Sequence, residues 1–494
     1  IERSYPRPPQ PKTGYFVCTS IEESRHPELL YGGISVGSVP FPHSCQVRVK
    51  LEVDLGAISQ NARQVQKVCA RTGRKLMGIV KANAYGMGAV AVSHMLMKVN
   101  GFDFFGVASI NEAIELRMSG IPESVRILVL GASTPTEWKS YSYYDLDIGV
   151  QSQEMAMQIV AWATEELRND ALTKPLRVHI LLNTGMSRLG LQTYSPEIEE
   201  ADLPEIYENE VGQAAQVVKF VDDADKNAIQ FYALMTHMCD AHKGIDFTQR
   251  QFTRFKRVVD AVRELGIRIP MLHMENSEAT LENLITDEQV REVLEGPGPE
   301  KLYDTQGYCR SGGGMYGQRN FDFLRPTCSL KAQVRNVHKT GDGRIIATVA
   351  AGYADGFSKE FGKEGSYGKG GAVGIHGEIC NIAGRICMDV LTVDCGPEDS
   401  MAGSMVKVGD YAVLFGEGGP SLKDAAGMLT TAQSDVTCDL TRRPERYYYN
   451  APPPVLEGDG SERKPTQCES ALARATIRLS PTAGDAGGLK ALTR

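Results

Sequence analysis

Leu76-Met77-Gly78-Ile79-Val80-Lys81-Ala82-Asn83-Ala84-Tyr85-Gly86-Met87-Gly88 is the stretch on which the reading of this chain turns. Its first five residues are a short apolar run, the pattern of a buried strand in a parallel sheet. Lys81 falls at the C-terminal end of that strand, and a turn with two glycines follows. In α/β barrels the chemistry gathers at the C-terminal ends of the strands. A lysine desolvated there can lose its proton near neutral pH and react with a carbonyl carbon. Position alone favours a lysine reaching into water from a strand end, so the surrounding sequence has to decide.

Outward from Lys81, short apolar runs alternate with helical stretches. Leu55, Ile58, Ala62, Val65 and Cys69 follow helical spacing, and a small-residue helix is expected around Val90 to Met97. Further strands are expected at Phe104 to Val107, Arg126 to Leu130, Val178 to Leu182, Phe231 to Met235 and Pro270 to His273. Ser109-Ile110-Asn111-Glu112 is a capping box, in which Ser109 bonds first-turn amides and Glu112 reaches back. So many βα units favour an α/β fold with a closed (β/α)8 TIM-like barrel over a doubly wound sheet. Near residue 325 the texture changes to short, glycine-broken, β-like segments, at Ser329 to Val334, Arg344 to Val349, Ala372 to Ile375, Val390 to Val393 and Tyr411 to Phe415. They imply a mostly antiparallel β-domain. The expected organisation is a proline-rich disordered extension over residues 1–47, the barrel over 48–322, the β-domain over 323–449 and a disordered tail over 450–494. Two acidic stretches, roughly 195 to 225 and 285 to 304, read as solvated insertions.

Composition removes several classes. A chain of 494 residues with net charge -8 and no basic cluster interleaved with aromatics does not suit nucleic acid or a membrane surface. No apolar run approaches the ~20 residues of a membrane span. Eleven scattered cysteines without a C-x-x-C spacing favour free thiols in a reducing compartment, hence an expected cytoplasmic location. His237-Met238-Cys239-Asp240-Ala241-His242 lacks the spacing of known zinc motifs, so no metal is expected.

The run Val80 to Gly88 closely resembles the pyridoxal-phosphate lysine motif of alanine racemases, and Leu51-Glu52-Val53-Asp54-Leu55-Gly56-Ala57-Ile58 resembles that family's opening strand and helix start. Further words follow in the family's order: Thr184-Gly185-Met186-Ser187-Arg188-Leu189-Gly190, Thr236-His237-Met238, His273-Met274-Glu275-Asn276-Ser277, Arg310-Ser311-Gly312-Gly313-Gly314-Met315-Tyr316-Gly317, Gly352-Tyr353-Ala354-Asp355-Gly356 and Gly384-Arg385-Ile386-Cys387-Met388-Asp389. The resemblance spans about residues 50 to 448. It implies that Lys81 carries pyridoxal 5'-phosphate, with Tyr85, Arg188, His237, Asn276, Ser277, Arg310, Gly312, Gly313 and Ser434 in the cofactor site. Lys81 and Tyr353 are the implied pair of catalytic bases, and Arg188 with the Met388 amide would position the substrate carboxylate. Arg310 would face the pyridine nitrogen and keep it unprotonated, which suits racemisation over side reactions. A helix start at Ser277 and a bare glycine run suit an anion on their own physics as well. The implied reaction is the interconversion of L- and D-alanine by a homodimer with shared active sites, since in the family the Tyr353 and Met388 words come from the partner subunit.

Four departures keep other readings open. Leu181 stands where many members carry a modified lysine, and Asn183 where aspartate is common, both shared with broad-spectrum amino-acid racemases. The phosphate-contacting tyrosine of the family maps to Ser434, which opens the pocket wall. The β-domain hairpin between Leu330 and Ala351 is shorter than usual. Serine or broader racemisation therefore stands as an alternative, and a non-catalytic pyridoxal-phosphate-binding protein as another. A related decarboxylase would need a differently placed catalytic cysteine.

Overall fold

The computed structural model describes residues 47–194, 204–239, 245–296, 304–365 and 368–452. The expected disordered extension and tail lie almost wholly outside the described residues, as do His242 and parts of both acidic insertions.

The first strand, β1 (Val49–Asp54), leads through an Asp54 cap, whose carboxylate accepts from Ala57 N at 2.8 Å, into the helix Leu55–Ala70. That helix buries Leu55, Ile58, Ala62, Val65 and Cys69, the predicted stripe. Next come β2 (Lys75–Ile79), β3 (Phe104–Val107), β4 (Arg126–Val129), β5 (Asp147–Val150), β6 (Leu176–Asn183), the two-residue β7 (Leu191–Gln192), β8 (Ile229–Met235), β9 (Met271–His273) and β10 (Gln306–Ser311). Parallel pairing runs β5-β4-β3-β2-β10-β9-β8-β6, and β6 returns to β5, so eight strands close a barrel. Helices fill the connections, among them Ala89–Asn100, Ile110–Met118, Gln153–Arg168 and Ile245–Glu264. Met77, Ile79, Phe104, Leu128, Leu181, Ala233, Met235, Met271 and Tyr308 fill the interior, while the outward side chains join the larger core under the helices. The predicted α/β barrel and the antiparallel β-domain after it are both present.

The second sheet contains β11 (Cys328–Lys339), β12 (Arg344–Val349), β13 (Ala372–Ile375), β14 (Glu378–Ile382), β15 (Leu391–Pro397), β16 (Tyr411–Phe415) and β17 (Glu445–Tyr449). Its order is β12-β15-β14-β13-β16-β11-β1-β17, and a β12–β11 pairing closes the first six strands on themselves. β1 thus lies outside the barrel wall, antiparallel to β11 and parallel to β17, with Leu51 and Val53 fully buried there. The first and last described strands, β1 and β17, are thus tied into the same sheet. Among the described residues no helix is long and apolar enough to cross a membrane.

Candidate active site

Lys81 sits at the end of β2, held by Val80 N donating to Gly106 O at 2.9 Å and by the Tyr316 hydroxyl on Ile79 O at 2.9 Å. The glycine turn expected after it is a left-handed helical turn. Ala82, Asn83, Ala84 and Tyr85 have φ of 51°, 53°, 53° and 56°. Each L-residue in that region costs about 1–2 kcal/mol, so the surroundings must hold it. Gly86 and Gly88 follow with positive φ, and a Cβ there would stand 2.2 Å from Thr437 O and 1.8 Å from the Tyr448 hydroxyl. The segment Gln433–Cys438 and β17 therefore clamp the turn from the β-domain side.

Burial and the neighbouring Arg188 hold the half-buried Lys81 ammonium below its ordinary range; Glu112 and Cys438 oppose this, and Arg310 adds to it. Arg188 is exposed and makes no hydrogen bond or ion pair among the described residues. Its loop is shaped by Asn183, whose Oδ1 accepts from Gly185 N at 3.2 Å and Ser187 N at 2.9 Å. His237 faces the same cations, and burial with Arg310, Arg188 and Lys81 pushes its imidazolium down to about 3, so it is a neutral ring.

Arg310, buried on β10, donates to His273 O at 2.6 Å, His273 Nδ1 at 2.9 Å, Thr236 O at 2.6 Å and Met274 O at 3.1 Å. No carboxylate among the described residues pairs with it, and burial lowers it to about 10. Behind it runs a chain that sequence reasoning did not assign. His273 Nε2 meets His179 Nδ1 at 2.9 Å, and His179 Nε2 meets Asp147 at 3.1 Å. Asp147 also receives Arg177 at 2.6 Å and an ion pair from Arg126. A carboxylate only accepts, so His179 donates from Nε2, and each ring in turn accepts at Nδ1. The tautomers are thereby set all the way to Arg310. The only signal in the sequence was three polar residues in otherwise apolar strands.

This chain is sensitive to acid. Burial keeps both histidines neutral, whereas in the unfolded chain each titrates near pH 6.5. Below that pH the unfolded state binds more protons, so stability falls as the pH drops, by up to about 1.4 kcal/mol per pH unit for each histidine. Burial alone would raise the Asp147 carboxyl, but Arg126 and His179 outweigh it and hold it below the usual range. Its contribution is present above about pH 4 and is lost on further acidification. Thermal unfolding followed from pH 7 to pH 4 should show a steadily falling midpoint; a midpoint independent of pH would contradict the neutral-ring assignment.

After β9, two strands round the barrel from β2, Ser277 begins the short helix Ser277–Leu281, capped by Asn276 Oδ1 on Ala279 N at 3.0 Å. The Ser277 hydroxyl accepts from Gly312 N and Gly314 N, each at 3.2 Å, and lies 3.0 Å from Ser311 Oγ. A Cβ at Gly312 would come within 2.6 Å of the Tyr85 hydroxyl, and one at Gly313 within 2.7 Å of the Arg319 guanidinium. The bare glycines thus leave a cradle walled by Tyr85, Arg319, Ser277 and Ser311. The Tyr85 hydroxyl has no hydrogen-bond partner among the described residues. A phenol donor, a serine, a guanidinium and backbone amides fit a phosphate group.

Lys81, Tyr85, Arg188, His237, Asn276, Ser277, Arg310, Gly312 and Gly313 gather in this way at one end of the barrel. Ser434 is half-buried on the segment Gln433–Cys438 that clamps the Lys81 turn. Tyr353 and Met388 form a separate group in the β-domain. Tyr353 N donates to Cys387 O and Ala354 N to Met388 O, both at 3.1 Å, and Lys359 Nζ stands 4.1 Å from the Tyr353 ring centre. Met388 is 52% exposed. No hydrogen bond, ion pair or ring contact links Tyr353 to Lys81 within the chain. No metal-holding group of side chains occurs among the described residues.

Fold and candidate site together describe a two-domain protein, a barrel followed by a β-domain, with a strand-end lysine near a glycine-lined cradle. Two family models match it: the N-terminal domain of alanine racemase over residues 53–204 and 209–293, and its C-terminal domain over 335–448. The alanine racemase of Clostridium tetani is 30% identical over 416 residues, which is 80% of this chain and 94% of that protein. The solved Clostridium difficile alanine racemase in complex with cycloserine is 28% identical with a TM-score of 0.65, covering 83% of this chain and 98% of that one. The Bartonella henselae alanine racemase, solved with covalently bound pyridoxal phosphate, shares the fold at 22% identity and a TM-score of 0.63. The chain belongs to the alanine racemase family.

Proposed function

We propose that this chain is a pyridoxal-phosphate-dependent isomerase that interconverts L- and D-alanine. One observation carries the reading: a lysine amine with a depressed proton affinity stands among arginines that no carboxylate neutralises, next to an anion cradle. Bound pyridoxal phosphate supplies an aldehyde that an amine can join and a conjugated ring that takes up negative charge from the α-carbon. Tyr85, Ser277 and the Gly312–Gly314 amides would hold its phosphate, and Arg310 its ring nitrogen. Arg188 would pair with the substrate carboxylate, together with the Met388 amide. In the D-to-L direction Lys81 Nζ takes the α-proton and the Tyr353 hydroxyl delivers one to the opposite face; in the L-to-D direction Tyr353 Oη takes the proton and the Lys81 ammonium delivers one. His237 and Arg310 keep their protonation fixed throughout, because their environments leave no second state near neutral pH.

The separation of Tyr353 from Lys81 within one chain supports a homodimer in which each copy completes the other's site. Buried thiols without a disulfide, such as Cys69, Cys309 and Cys328, suit a cytoplasmic location. Racemisation of a panel of L-amino acids, followed by circular dichroism, tests the substrate: alanine should be fastest, and equal rates on lysine or arginine would sink the alanine assignment.

Leu181 and Ser434 favour a second, broader substrate range that includes serine. Ser434 is a small residue on the segment that packs against the turn carrying Lys81. Enlarging it, as in Ser434→Tyr, should lower kcat/KM for serine relative to alanine by about tenfold, the worth of a small steric change in a pocket. An unchanged ratio would show that Ser434 does not border the substrate.

A further inference from the structure

We propose that Glu112, on the next βα unit, is the positioning residue of Lys81: it pins the left-handed turn at its first amide and places a carboxylate beside the amine. Glu112 read in the sequence as half of an ordinary capping box, and that box is present. Glu112 N donates to Ser109 Oγ at 3.4 Å, and Ser109 N donates to Glu112 Oε2 at 3.3 Å. Oε2 also accepts from Ala108 N at 2.7 Å. The capping therefore uses one oxygen only. The other, Oε1, crosses to the neighbouring strand's loop and accepts from Ala82 N at 2.7 Å.

Ala82 is the residue directly after Lys81 and the first of four non-glycine residues with positive φ. Charge-assisted hydrogen bonds to a carboxylate are among the stronger ones available to a backbone amide. Here one is spent where the backbone is least favourable. Asn83 Oδ1 on Ala89 N at 2.7 Å and Arg446 on Gly86 O at 3.1 Å hold the far end of the turn, so Glu112 alone secures its start among the described side chains. The groups acting on Lys81 are Arg188 and Arg310, which disfavour its charge, and Glu112 and Cys438, which favour it; neutral His237 lies near as well. Glu112 is the one carboxylate in that set. It thus sets both where Lys81 points and how readily it gives up its proton.

The inference rests on Lys81 being the reactive lysine, and it is tested without racemisation. In the full-length chain freed of cofactor, acetic anhydride modifies Lys81 in proportion to its neutral fraction, and peptide mass spectrometry reads the extent at each pH. Amide hydrogen exchange reads Ala82. Glu112→Gln removes the charge but keeps an acceptor, so the Lys81 profile should move to lower pH. Glu112→Ala removes both, and Ala82 should exchange at least about tenfold faster. Ser109→Ala frays the same helix cap without touching Ala82 and should leave both readings unmoved. Glu112 variants with unmoved profile and exchange, or a Ser109→Ala variant that moves them equally, would overturn the assignment. Failure of the racemase reading would show separately, in the amino-acid panel.

Discussion

Replacing Lys81 by alanine should lower alanine racemisation by about 10⁴-fold or more, because one amine serves as both attachment point and base. The two losses are separable. Tyr85, Ser277, the glycine amides and Arg310 remain, so pyridoxal phosphate should still bind, though without a covalent link. Dialysis should then strip it from the variant, and borohydride should fix none of it to the protein. The fold should be almost untouched. Lys81 makes no hydrogen bond or ion pair among the described residues, and a half-buried lysine held only by longer-range charges contributes within about 1 kcal/mol of stability. A small added amine should restore part of the rate, since attachment can pass to it while proton transfer stays impaired. Activity within about tenfold of the parent, or a reducible adduct at another lysine, would remove Lys81 from its role.

The elements legible in the sequence are those set by local pattern. The apolar runs at 76–80, 104–107 and 231–235 could be strands only by length and composition, and Asp147 to Val150 escaped notice because its first residue is charged. Ser109 and Glu112 stand three apart, so their capping box could be read directly, but the crossing of Glu112 to Ala82 could not. Nothing in Ala-Asn-Ala-Tyr favours left-handed backbone except the asparagine; the turn is imposed by Thr437, Tyr448 and Glu112, all distant in sequence. The Asp147–His179–His273–Arg310 chain depends on which strands become neighbours: β5 meets β6 only on closure of the barrel, and β8 stands between His179 on β6 and His273 on β9. The pairing of β1 was equally opaque, because its partners are more than 270 residues away. The candidate site residues, by contrast, are proposed from the sequence itself. Short words around each carried them, and the fold brings most of those words to one end of the barrel.

Tyr353→Phe should retain the cofactor on Lys81 and yet lose about 10²–10⁴-fold in racemisation, the range a positioned proton donor and acceptor contributes. The ring and its contact with Lys359 survive the change, and so do the backbone bonds to Cys387 and Met388, so only the hydroxyl is removed. An unchanged rate would rule out Tyr353 as a base and restore the reading of a pyridoxal-phosphate-binding protein without this chemistry. The same variant decides where the partner base comes from. When Lys81→Ala and Tyr353→Phe chains are unfolded together and refolded, half of the dimers should be hybrids. In each hybrid, if sites are shared across a two-fold axis, one site has both bases and the other has neither. Two nearly dead proteins should then recover roughly a quarter of the parent activity. If instead each chain supplied its own pair, every site in the mixture would lack one base and nothing would return. The exposure of Met388 and the absence of any contact between Tyr353 and Lys81 within one chain favour recovery.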